Sequence, residues 1–196
     1  MRVENTAEGG TNGSLVTVAN SGGGSGTAWT TVSIGLTAAF AYDTSTAGYG
    51  STSYRTANGI TLGANYVAWD STVVGAVPRM YGRMYVRLST GGYLRELARW
   101  RSGATQVARL RVNTSGALEL RTTSGGAPTT GGVGSVFLAA NIWYRIEWDI
   151  RPGSTQTNTI RLYAGHSTAV LETITGTGDF STATTINEQA IGQLTT

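Results

Sequence analysis

Two stretches, RMYGRMYVRLS at 79–89 and IWYRIEWDI at 142–150, alternate apolar and polar residues one by one. This period of two constrains the fold more than any other feature of the chain. Side chains two apart on an extended strand share a face. In the first stretch Met80, Met84, Val86 and Leu88 fall on one side, and Tyr81, Arg83, Tyr85 and Arg87 on the other. In the second, Ile142, Tyr144, Ile146, Trp148 and Ile150 oppose Trp143, Arg145, Glu147 and Asp149. In ALELR (117–121), Leu118 and Leu120 turn inward, Glu119 and Arg121 outward. A slip of one residue would bury the charges, so the register is strongly specified.

Strand candidates follow one another along the rest of the chain: SLVTVA (14–19), WTTVSI (29–34), YGSTSYRT (49–56), NYVAWD (65–70), YLRELARWR (93–101), QVARLRVN (106–113), ALELRTT (117–123), TIRLYAG (159–165), AVLETITG (169–176) and EQAIGQL (188–194). Helical periodicity amounts to one turn at most, around Leu36–Ala41, and Gly35 and the β-branched residues there argue against more. STGGY, RSGATQ and NTSGAL put glycine where a hairpin needs positive φ. The expectation is an antiparallel meander from about 79 to 176, with STGGY joining two neighbouring strands. With 28 glycines in 196 residues, the chain reads as one all-β domain spanning 1–196, a sandwich or barrel.

Composition removes whole classes of chemistry. The chain has no cysteine, so disulfides and thiolate chemistry are excluded. Its single histidine, His166, rules out a His-rich zinc site. Net charge is +3 and every basic residue is arginine, but no dense basic run speaks for nucleic acid. No apolar run approaches the roughly 20 residues that cross a bilayer, so membrane insertion is not expected. MRVENTAEGG has no apolar core, so it does not read as an export signal. Asp43 and Asp179 are the plausible loop carboxylates for calcium, too few for a site. No metal or cofactor is expected.

The order YGRMYVRLS, YLRELARWRSG, QVARLRVNTSGALELRT, AANIWYRIEWDI, NTIRLYAG resembles the concanavalin A-like lectin/glucanase jelly roll in its laminin-G-like form. Arg83–Arg87, Gly116–Leu120, Trp143–Glu147 and Tyr163–Gly165 carry the likeness. It implies an antiparallel jelly-roll β-sandwich. The front, EGGTNGSLVTVANSGGGSGTAW, resembles the opening of such domains in actinobacterial and actinophage proteins. The strand that usually closes these domains has no counterpart after IGQLTT, so the expectation is either a fragment of a longer protein or a sheet completed by a neighbouring chain.

The resemblance also sets up the chemical questions. Glucanases of this superfamily carry E-x-D-x-E on one strand; here Glu147 and Asp149 are followed by Arg151, so the third carboxylate is missing. Alginate lyases of this class carry R-x-E-L-R. Arg95-Glu96-Leu97 is a partial echo, without their Q-x-H strand or Tyr/Lys signature. The residues therefore point away from an enzyme.

The arginines and tyrosines suggest binding instead. Tyr81, Arg83, Tyr85 and Arg87 alternate on one strand. Arg95, Arg99 and Arg101 alternate with Leu97 on the next, and Arg109 and Arg111 follow on another. With neighbouring strands about 4.8 Å apart, a continuous basic and aromatic patch is expected. It suits an anionic glycan or an acidic neighbouring subunit. The plainer alternative, that these side chains merely cover an exposed sheet, carries slightly more weight. A lectin-like domain without an export signal reads best as a non-enzymatic phage virion protein. It would be a capsid decoration or tail component, assembled in the host cytoplasm and exposed outside the cell. Its partners would be other virion subunits, copies of itself, or host glycan. The alternatives are a carbohydrate-binding module and a divergent polysaccharide lyase or glycosidase.

Overall fold

The computed structural model describes residues 2–35, 39–57, 64–90, 94–121, 128–177, 180 and 182–194. In chain order the strands are β1 (Thr31–Ser33), β2 (Ala39–Asp43), β3 (Ser53–Ala57), β4 (Asn65–Trp69), β5 (Met80–Arg87), β6 (Arg95–Ser102), β7 (Thr105–Val112), β8 (Ala117–Arg121), β9 (Pro128–Phe137), β10 (Trp143–Ile150), β11 (Thr157–Ala164), β12 (Val170–Thr177) and β13 (Glu188–Gln193). The fold is an antiparallel jelly-roll β-sandwich. Its main sheet runs β1-β4-β13-β6-β7-β8-β9-β12-β11-β10-β5, and β2 and β3 pair separately.

Strand β9 is where the long sheet turns back on itself. It pairs with β8 through Ala117↔Phe137 and Glu119↔Val133, and with β12 through Thr177↔Thr130. The two arms then face each other. One contributes Ala98, Trp100, Ala108, Leu110, Val112, Leu118 and Leu120 to the core; the other contributes Tyr144, Ile146, Trp148, Ile150, Ile160, Leu162 and Ile174. The Trp100 and Trp148 rings meet edge to face across the gap, their centroids 5.5 Å apart. A second cluster, built on stacked Trp29 and Trp69 with Val16, Phe40 and Tyr42, seats the β2–β3 hairpin. The alternation in β5 and β10 emerges as expected from the sequence, with Tyr144, Ile146, Trp148 and Ile150 buried; Ile142, assigned to the same face, precedes β10 and is exposed.

Several expectations are corrected. Strands β5 and β6 do not form a hairpin. β5 pairs along its length with β10, from Trp143↔Arg87 to Ile150↔Met80, whereas β6 lies between β13 and β7. The reason is burial: both strands have an apolar row, and the rows are buried by facing each other across the core, not by lying side by side. Residues 91–93 of the STGGY turn are outside the described residues. SLVTVA is not a strand; Leu15 makes a single bridge to Ala41. Ala39–Asp43, part of which suggested a helical turn, is strand β2, and residues 36–38 of that stretch are outside the described residues. Strand β9 is new.

The expected row Arg95, Leu97, Arg99, Arg101 is broken. Register jumps between Glu96↔Arg111 and Ala98↔Leu110, so β6 carries an extra residue at Leu97. Leu97 goes to the core, and Glu96 takes its place on the arginine side. Among the described residues β5 has one strand partner, which leaves it at an edge of the sheet.

Candidate functional site

The side chains proposed from the sequence as one patch lie on two opposite outer faces of the sandwich. Tyr81, Arg83, Tyr85 and Arg87 stand on β5. Arg99, Arg101, Arg109 and Arg111 stand on β6 and β7, in the other arm. Arg95 belongs to neither: it pairs with Val112, and its guanidinium donates to Thr90 Oγ1 at 3.0 Å.

The β6–β7–β8 face has an unusual charge order. Arg99 is directly opposite Arg109, and Arg109 is directly opposite Arg121, so three arginines stand in one row across three strands. The next row reads Glu96, Arg111, Glu119. Like charges opposite one another destabilise a sheet, and here two buried glutamates hold the arrangement. Glu96 takes Arg109 at 3.4 Å and Arg99 at 3.9 Å. Glu119 takes Arg111 at 2.6 Å and Arg121 at 3.7 Å. Arg101 is tied to Glu188 at 3.6 Å. Four guanidinium groups against two carboxylates leave this cluster with a net positive charge of two.

Burial pushes the Glu96 carboxyl above its ordinary value, against the pull of Arg99 and Arg109. Burial also draws Arg121 below its ordinary value; Glu119 opposes that shift, and Arg111 and Arg109 add to it. Each guanidinium has five N–H donors, and the Nε atoms of Arg99, Arg109 and Arg121 have no hydrogen-bond partner among the described residues. These Nε atoms are buried, so their unmet donors do not reach solvent. Tyr66 on β4 borders the row, with the Arg99 guanidinium 5.9 Å from its ring centroid.

The sequence reading missed Glu96, Glu119, Arg121 and Tyr66 as site residues. Arg121 and Glu119 were legible from alternation in ALELR. Glu96 was not, because only the bulge brings it to this face.

Glu147 and Asp149 are held in ion pairs on the opposite face. Asp149 receives two hydrogen bonds from Arg79, at 2.7 and 2.5 Å, and lies 3.7 Å from Arg151. Hydrogen bonding from Arg79 holds its carboxyl below the ordinary value. Glu147 pairs with Arg145 at 3.1 Å on its own strand, not across strands, and accepts from Tyr163 Oη at 3.2 Å. A carboxylate pair for hydrolysis needs one member kept protonated, and Arg79 shifts Asp149 in the opposite direction. Asp43 is buried, accepts from Ser45 and faces Arg55 at 3.7 Å. Asp179 lies outside the described residues. A cleft of about 1620 Å³ runs along the open side of β5 and the β2–β3 hairpin, lined by Tyr49, Tyr81, Arg83, Tyr85 and Arg87 among others.

No family model matches the chain, and no curated protein matches it. Among solved structures it is similar to an endo-β-1,4-glucuronan lyase from the fungus Trichoderma reesei. The TM-score is 0.57 at 12% identity, over 84% of this chain and 79% of that one. The likeness is one of fold: a β-sandwich of the concanavalin A/glucanase type. It overturns the reading of the chain as a phage virion component. That reading leaned on a lectin-like fold without an export signal and on the front segment, whereas the fold match is to a polysaccharide lyase.

Proposed function

We propose that this chain recognises an acidic polysaccharide of the polyuronate kind on the arginine face of β6, β7 and β8, as a divergent relative of the lyase-type sandwiches. The observation that carries the reading is the row Arg99, Arg109, Arg121. A fold gains nothing from three like charges abreast, whereas a polymer with a carboxylate on each sugar unit is bound by repeated charge-assisted hydrogen bonds. The bulge adds support. R-x-E-L-R places Glu and Arg two apart on one face, and the extra residue at Leu97 lets Glu96 and Arg99 achieve the same at a spacing of three.

Calorimetric titration with glucuronan and polygalacturonate oligosaccharides tests this. Arg109→Ala and Arg121→Ala should each weaken binding about tenfold, the scale of one charge-assisted hydrogen bond. Lysine at the same positions should restore part of it, and rising salt should weaken it throughout. Equal binding of neutral cello-oligosaccharides, or indifference to both substitutions, overturns the reading.

Tyr66 favours a second reading, in which the bound chain is also cleaved. In β-elimination a base removes the proton beside the carboxyl group, the bond to the leaving sugar oxygen breaks, and a double bond forms in the ring. Arginines on the carboxylate would stabilise the charge that develops there. Tyr66 is the tyrosine on this face among the described residues; as a phenolate it would take the ring proton, and as the phenol so formed it would pass that proton to the departing sugar oxygen. Turnover would appear as ultraviolet absorbance of unsaturated ends. Tyr66→Phe should abolish that signal with binding intact; a wild-type protein that binds and releases no such ends is a binding module.

A further inference from the structure

Three rings from distant parts of the chain meet on the side of the sandwich away from the arginine row. Tyr49 follows β2, Tyr85 sits on β5, and His166 is in the turn between β11 and β12. Tyr49 and Tyr85 are stacked at 6.0 Å between centroids and 22° between planes. His166 lies 5.1 Å from Tyr85 and 6.0 Å from Tyr49. Rings that serve packing alone are covered, yet Tyr49 is 61% exposed and His166 is exposed as well. The loop that brings Tyr49 here is seated closely. A β-carbon at Gly48 would stand 2.6 Å from the Trp143 indole, so only glycine lets the loop lie against that ring.

Charge accompanies the rings. Arg83 and Arg87 flank Tyr85 two residues away on the same face of β5. Arg87 donates one bond from Nε to the Asn141 carbonyl, which leaves its terminal nitrogens available. Arg83 has no hydrogen bond or ion pair among the described residues, although Glu147 is its neighbour in register. Flat apolar surfaces beside uncommitted guanidinium groups suit a sugar ring that carries a carboxylate.

We infer that Tyr49, Tyr85 and His166, with Arg83 and Arg87, form a second subsite that takes one uronate unit of an acidic polysaccharide. The rings lie against the apolar face of the pyranose, and the arginines meet its carboxylate. The ligand class rests on the proposed function; the site and its residues do not. With basic subsites on opposite faces, one domain holds two segments of the acidic polymer at once.

His166 is the single histidine of the chain, so its ring proton resonances report on this corner alone. Oligogalacturonate should shift them saturably, both in the wild type and in the Arg109→Ala/Arg121→Ala variant. Tyr49→Ala, at an exposed loop position, should weaken that response about fivefold or more, and Arg87→Gln should do the same. If the response survives in the double variant while overall binding is unchanged, the first site fails and this one stands. If the wild type binds through the arginine row without moving His166, this subsite is overturned and the first reading stands. An equal response to polyglutamate or to cello-oligosaccharide also overturns it, as does a response indifferent to Tyr49→Ala.

Discussion

Glu96 and Arg99 are three residues apart on β6 and yet face the same way, their charged groups 3.9 Å apart. Alternation alone would put them on opposite sides. The extra residue at Leu97 restores the phase and sends a leucine to the core in the same step. Glu96 is thereby fixed beneath Arg99 and Arg109, buried to 6% exposure.

That burial has a pH signature. The folded-state pKa of Glu96 is raised above the ordinary 4.5, first by desolvation. A raised value means that the fold binds this proton more tightly than the unfolded chain does. Its stabilising contribution is full below 4.5 and is lost as pH rises through the raised value. Glu96→Gln removes the titration. Urea unfolding across that window should show the variant gaining on the wild type as pH rises. A constant difference between the two would mean that Glu96 titrates normally.

Asp149 should behave in the opposite sense. Hydrogen bonding from Arg79 lowers its folded-state pKa below the ordinary 3.8. The stabilisation is therefore present above 3.8 and is lost as pH falls through the lowered value. Asp149→Asn should unfold with a shallower acid limb than the wild type, and Arg79→Gln should reproduce it. An unchanged acid limb in both would show that the pair contributes nothing to folding.

Gly82 faces Trp148 in register, and a β-carbon at Gly82 would stand 2.3 Å from the indole. Trp148 is itself buried against Trp100. Gly82→Ala should therefore cost about 1–3 kcal/mol, the range for overpacking. Part of it should return with Trp148→Phe in the same chain, because the smaller ring opens the space. Strict additivity of the two substitutions in denaturant unfolding would show that the clash is relieved elsewhere.

What the sequence revealed follows from where periodicity was uninterrupted. β5 and β10 alternate cleanly, and their faces were legible residue by residue. β9 was not, because PTTGGVGSVF reads as a glycine-rich loop. Its glycines serve a close approach: a side chain at Gly134 would meet the Glu172 carboxylate and Ile174 of β12. Glu172 meanwhile accepts from the backbone of Ser135 and Val136. β2 escaped notice because AFAYD is buried almost throughout and does not alternate. The division of the arginines between two faces was illegible for another reason. Alternation fixes the face of a strand, but not which strand lies beside it.

The pair Arg111–Glu119 separates a structural arginine from a ligand-binding one. Glu119 is buried, and Arg111 Nε donates to it at 2.6 Å, with Arg121 a more distant partner at 3.7 Å. Arg111→Met removes the near partner and leaves a buried carboxylate held from one side. Breaking a buried pair in this way costs about 3 kcal/mol. For a domain of this length that corresponds to a fall in Tm of roughly 6–12 °C. Removing both charges, as Arg111→Met with Glu119→Met, should recover only part of the loss, because Arg121 then loses its own carboxylate partner beside Arg109. The double variant should also keep the row Arg99, Arg109, Arg121 and hence most of its affinity for an acidic oligosaccharide. Calorimetric melting and titration on the same three proteins check both halves. If the double variant folds as stably as the wild type but no longer binds, Arg111 belongs to the ligand site. If the single variant melts with the wild type, the carboxylate is better solvated than its burial implies.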